Sequence, residues 1–176
     1  MGVAGADEMI IGDPYKFAID MQKIEEWNYS GDNTFLNGVL LFFIDGAIFP
    51  TEIRTATLTS ELAPLKNVLE NLIIDKRLFN MEKEDAYIEL YNLTFPENDT
   101  DNNYGYHLTP ASLSEDNCHV FCVSDGLKTR VLGAHLDYLF DRSRHNLENI
   151  QVKEGVVSKE DVIRIIKYID QLLEKR

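Results

Sequence analysis

The chain has 176 residues, 44% of them hydrophobic and 27% charged, an average make-up for one domain with a single core and not for a disordered or fibrous chain. Its longest apolar run, Gly38 to Ile44, is cut off by Asp45 and Gly46, well short of the ~20 residues of a membrane-spanning helix. Thirty acidic residues against 17 basic ones give a net charge of −13, which disfavours nucleic acid and anionic membranes as partners and favours basic proteins.

The opening MGVAGADE is small or acidic, without periodicity, and a second methionine follows at Met9. Residues 1–8 are therefore expected to be a leader or expression scar outside a single domain over 9–176. No basic stretch followed by an apolar one marks a secretory signal, so a cytoplasmic location is expected, with Cys118 and Cys122 reduced and the sequons at Asn28, Asn92 and Asn98 unused.

After the turn formers Gly12-Asp13-Pro14, the alternation of Phe17, Ile19 and Met21 with Ala18 and Asp20 predicts a first strand. Phe35 to Ile44 predicts a buried strand, and Asp45-Gly46 supplies the positive φ angles of a tight hairpin with Ala47 to Phe49 as the return arm. Pro50 ends that arm, and Ile53 to Leu58 reads as a further short strand with Ile53, Thr55 and Thr57 on one face. Ser60 is placed to cap a helix whose Leu62, Leu65, Val68, Leu69 and Leu72 line one side. In Glu82 to Leu93 the positions of Ala86, Leu90 and Leu93 fit a helix while Tyr87, Glu89 and Tyr91 alternate as in a strand; helix is the expectation. The turn formers and acids of Pro96 to Gly105 predict a solvated loop.

Cys118 to Val123 and Leu127 to Leu132 flank Asp125-Gly126 as a second hairpin. Val152 to Val157 reads as a last strand, and Ser158 with Asp161 as a capping box opening a helix striped by Val162, Ile165, Ile166, Ile169, Leu172 and Leu173. These elements predict an α+β fold, an antiparallel sheet with hairpins packed against amphipathic helices.

Candidate chemical sites are weak. Cys118, His119 and Cys122 lack a second ligand pair, and on a strand the two cysteines share one face while His119 takes the other. His135, Asp137, Asp141 and His145 are spaced badly for a helical ligand set. Asp99, Asp101 and Asn103 resemble the start of a calcium loop, but Tyr104 and Pro110 stand where its glycine and bidentate glutamate belong. No phosphate-cradling glycine loop or nucleophile-elbow serine occurs, and no metal or cofactor is expected.

Charge is more informative. Between Glu82 and Asp116 nine carboxylates face the single cation Lys83, with Tyr87, Tyr91, Tyr104 and Tyr106 interleaved. Tyrosine among acids suits a protein interface, and Glu82, Glu84, Asp85, Glu89, Asp99 and Asp101 are the candidate partner-binding residues; a merely solvated surface is the other reading.

MIIGDPYKFAI from Met9, FFIDGAIFP followed by IRTATL, and SKEDVIRIIKYIDQLL together resemble the Imm42 type of immunity protein from bacterial polymorphic toxin and contact-dependent growth inhibition systems. The resemblance runs from Met9 to the C-terminus. It implies a non-enzymatic cytoplasmic protein that binds one cognate toxin domain and blocks its active site or substrate surface. Toxins of this kind are often nucleases with basic surfaces, and an acidic inhibitor fits such a partner. A small hydrolase with a carboxylate-based site, or an acidic adaptor, stays open as the alternative.

Overall fold

The computed structural model describes residues 10–29, 34–98 and 101–174. Among these residues eight strands and five helices follow in the order β1 (Ile10–Asp13), β2 (Phe17–Lys23), β3 (Asn37–Ile44), β4 (Ala47–Phe49), β5 (Ala56–Thr57), α1 (Leu58–Glu70), α2 (Lys76–Asn80), α3 (Lys83–Thr94), α4 (Ala111–Ser114), β6 (Cys118–Ser124), β7 (Lys128–His135), β8 (Lys153–Ser158) and α5 (Lys159–Glu174). The expected antiparallel α+β architecture is present, with its strands divided between two sheets.

The first sheet runs β1-β2-β3-β4, and β5 pairs with the other half of β3. Its hairpin at Asp45-Gly46 has the register Ile44↔Ala47 and positive φ at both turn residues, 50° and 74°, as a two-residue turn with the twist of its strands demands. The predicted first strand is in fact the second. Ile10–Asp13 also pairs along it, and the turn formers sit in the Asp13 to Lys16 turn, where Lys16 N–H donates to Asp13 O at 2.9 Å.

The second sheet is β6-β7-β8. The last β6–β7 pair is Ser124↔Thr129, which leaves four residues between the paired positions, not two. Asp125 Oδ1 accepts the amides of Leu127 and Lys128 at 2.8 and 2.7 Å, so Leu127, expected on the return strand, projects into solvent from the loop.

Ile53 to Leu58 departs from its strand reading. Only Ala56 and Thr57 pair with β3, Ile53 is exposed, and Leu58 already opens α1. Ser60 therefore lies inside the first turn and its hydroxyl donates back to Thr57 O at 3.0 Å. Glu61 takes over the end: one carboxylate oxygen accepts Thr57 N–H at 3.1 Å, the other accepts Ser112 N–H and Oγ–H at 3.0 and 2.6 Å. The predicted box at α5 is formed, since Ser158 Oγ accepts Asp161 N–H at 3.1 Å and Asp161 Oδ2 accepts Ser158 N–H at 3.2 Å. Ser158→Ala is expected to cost ~1 kcal/mol, read as a drop in the urea midpoint at unchanged m-value.

Two apolar clusters explain the layering. The larger joins the inward residues of β2 and β3, such as Phe17, Ile19, Leu40 and Phe42, to α1, α5 and the Cys118, Val120 and Cys122 face of β6. The smaller joins Phe121 and Val123, from the opposite face of β6, to Leu78 of α2 and Tyr87, Leu90 and Tyr91 of α3. All seven residues of β6 are consequently buried. Its outer edge is closed by the bridges Ile74↔Ser124 and His107↔Phe121, so no long strand edge is left open there.

Arg130 ties α2 to this sheet. It is 4% exposed, and its Nη1 donates to the carbonyls of Leu78, Phe79 and Met81 at 2.9, 3.0 and 2.7 Å. Its Nε donates to Glu154 Oε2 at 2.6 Å.

Candidate partner-binding site

Helix α3 is where the acidic segment meets structure. Ala86, Tyr87, Leu90, Tyr91 and Thr94 form its buried stripe, which leaves Glu82, Glu84, Asp85 and Glu89 on the other side. Glu82, Glu84 and Asp85 are exposed at the N-terminal end, where acids also suit the helix dipole. Lys83 Nζ lies 3.8 Å from Glu84, whereas no ion pair among the described residues engages Glu82 or Asp85. Glu89 differs. It takes both terminal nitrogens of Arg77, and that guanidinium holds its carboxyl below the usual range, so much of its charge is already answered within the chain.

Asp101 is exposed in the loop after α3, and Asp99 lies outside the described residues. Of the nine carboxylates in this stretch, Asp116 turns inward. Its Oδ2 accepts Thr51 N–H and Oγ–H at 2.7 and 2.6 Å, and Arg54 lies 3.4 Å from Oδ1. Burial pushes its pKa up, but those hydrogen bonds bring it below the ordinary value.

The interleaved tyrosines are mostly not interface residues. Tyr87, Tyr91 and Tyr106 are core side chains; Tyr87 packs edge-on to Phe121 at 5.1 Å and donates to His119 O at 3.0 Å. Only Tyr104 is exposed.

Cys118 and Cys122 do share one face of β6 and His119 the other. Burial pushes both thiols up to about 12, far from the thiolate a metal or a nucleophilic role would require. The spacing argument grouped His135 with His145, but His135 stands exposed while His145 packs edge-on against His119, which stacks on His107, a group that sequence reading missed. His107 Nε2 and His119 Nδ1 are 3.3 Å apart; His145 uses Nδ1 on Tyr91 Oη at 2.9 Å and Nε2 on Asn117 Oδ1 at 3.3 Å. Among the described residues no set of three or more Cys, His, Asp or Glu side chains is placed to hold a metal ion. Burial lowers His107 to about 4 and His119 to about 3, the latter also through His107 and His145, so these rings are neutral near pH 7.

A cleft of about 350 Å³ opens over this group, walled by Tyr91, Phe95, Tyr104, Tyr138, His119 and His145. Arg144 closes one side, donating to Glu97 Oε1 at 3.0 Å, Phe95 O at 3.2 Å and Asn92 Oδ1 at 3.3 Å. It thereby fixes the 137–146 segment to the C-terminal end of α3.

These features define an acidic α+β domain that carries much of its outward charge along one helix and the loop after it. Residues 9–172 match the model of a family described as Immunity protein 42, and the chain belongs to that family. Its fold is similar to that of CdiI from Burkholderia dolosa AUO158, with a TM-score of 0.69 and 24% identity over 96% of this chain and 100% of that one. No curated protein matches the chain. Among the described residues no helix is long and apolar enough to cross a membrane.

Proposed function

We propose that this chain is the immunity protein of a contact-dependent growth inhibition system, working in the cytoplasm and neutralising a cognate toxin domain with a basic, nuclease-type surface. Family membership supports the immunity role, and the CdiI-like fold supports the kind of system. The observation that carries the basic partner is the exposed cluster Glu82, Glu84 and Asp85 at the N-terminal end of α3, together with exposed Asp101 in the loop after the helix, on a chain of net charge −13. Such a cluster raises the rate of encounter with a cationic surface and competes with the phosphates that surface would otherwise bind. Glu89 contributes less to encounter because Arg77 already faces it.

The test replaces Glu82, Glu84 and Glu89 by Gln and Asp85, Asp99 and Asp101 by Asn, then measures association with the cognate toxin domain at low and moderate salt. The expected result is an association rate lower by ~10-fold or more at low salt, with a flatter salt dependence. Restoring Glu89 alone is expected to recover little of it. A folded variant with unchanged rate and salt dependence would return this cluster to the role of solvated surface.

A further inference from the structure

Residues 137–146 form a small hairpin that carries its apolar side chains outward. Phe140 is as exposed as in an extended peptide, at 108%, with Tyr138 and Leu139 half exposed beside it at 49% and 41%. Exposed apolar residues are ordinary when scattered, but three in succession on one projection are not. A mobile tip would mean little; this one is held. Leu139 N–H donates to Arg144 O and Arg142 N–H to Leu139 O, both at 2.8 Å, and Asn146 N–H donates to Asp137 O at 2.7 Å. Asp141 Oδ1 accepts Ser143 Oγ–H at 2.7 Å, and Tyr138 stacks on His145 with ring centroids 4.7 Å apart. With Arg144 clasped to Glu97, Asn92 and Phe95, the base of the hairpin is fixed against the end of α3.

From this geometry we infer that the hairpin is the apolar anchor of the toxin interface, inserting Phe140 into an apolar socket on a toxin domain whose surroundings are basic. The inference rests on the immunity reading above and names a second, chemically different part of the same surface. Two facts select a basic protein as the occupant. The hairpin is joined through Arg144 to the helix that carries Glu82, Glu84 and Asp85, so one partner can span both. The local charge is also negative, since Glu97, Asp101, Asp137 and Asp141 outnumber Arg142 and Arg144. Because the hairpin is already ordered, little conformational freedom is lost on docking, and a central aromatic in such a setting carries a large share of affinity. The charged cluster and the aromatic tip then divide the work, the first governing encounter and the second residence time.

The experiment compares the full-length wild type with Phe140→Ala in binding the cognate toxin domain, recording association, dissociation and salt dependence. Since Phe140 packs against nothing that supports the fold, the variant should melt with the wild type. Dissociation is expected to quicken by about 30-fold or more with the salt dependence of association unchanged. Phe140→Leu is expected to recover part of the loss. Wild-type binding with Phe140→Ala within threefold of it would overturn the inference and leave the immunity reading standing. A wild type that fails to bind would overturn both.

Discussion

Arg130→Ala is expected to destabilise the fold by about 3 kcal/mol, because a buried guanidinium is lost and the carbonyls it serves are left without their donor. The substitution releases three carbonyls at the end of α2, those of Leu78, Phe79 and Met81, and leaves Glu154 facing an empty site. Lysine is a poor replacement. Its single ammonium cannot serve Glu154 and three convergent carbonyls together, whereas a planar guanidinium can. Urea denaturation of Arg130→Ala, Arg130→Lys and wild type should therefore give a graded loss, with Lys intermediate. An alanine variant within 1 kcal/mol of wild type would show that α2 is held by other means.

Acid is expected to weaken the fold in a window that starts near neutrality. His107 and His119 have native pKa values of about 4 and about 3, against 6.5 for an unhindered ring. A base whose pKa is depressed by folding leaves stability intact above 6.5 and removes it as pH falls toward the native values, because the unfolded chain binds protons that the native chain does not. At pH 5 each ring accounts for about 2 kcal/mol, or about 4 kcal/mol for the two. His145, also lowered, adds in the same direction; Asp20, raised by burial, opposes it. Denaturant titrations at pH 7.5 and 5.0 measure the slope, and His119→Phe should remove about half of it. Equal stability at the two pH values would mean that the rings charge without cost in the native state.

Legibility in the sequence followed the range of the interactions involved. Asp45-Gly46 and the Ser158–Asp161 box were readable because a turn or a cap is decided within four residues. Helix α3 was readable too, and its acids fall on the side away from the buried stripe. Its tyrosines were misread. Positions 86, 87, 90, 91 and 94 make a continuous helical stripe, so Tyr87 and Tyr91 belonged with Ala86 and Leu90 as core residues, a signal that the alternation with Glu89 obscured. The strand read into Ile53 to Leu58 failed because Glu61, one turn on, draws Thr57 and Leu58 into the start of α1. His107, His119 and His145 come from three separated segments that only the folded sheet brings together. The outward turn of Phe140 was likewise invisible, since the order Tyr138-Leu139-Phe140 does not say which side chain leaves the surface, and only the stacking of Tyr138 on His145 sets the hairpin.

Because β6 lends one face to each apolar cluster, neither half of the molecule has a core it can keep alone. Detaching α2 and α3 would expose Phe121 and Val123, while lifting away β2 and β3 would expose Val120 and Cys122 on the same strand. The two packing regions are therefore expected to open and close as one cooperative unit, which couples the surface on α3 to the far sheet through the middle of the protein. An injury on either side is then felt by the whole, and the population of molecules able to meet a toxin is expected to follow global unfolding and not the local fraying of one helix.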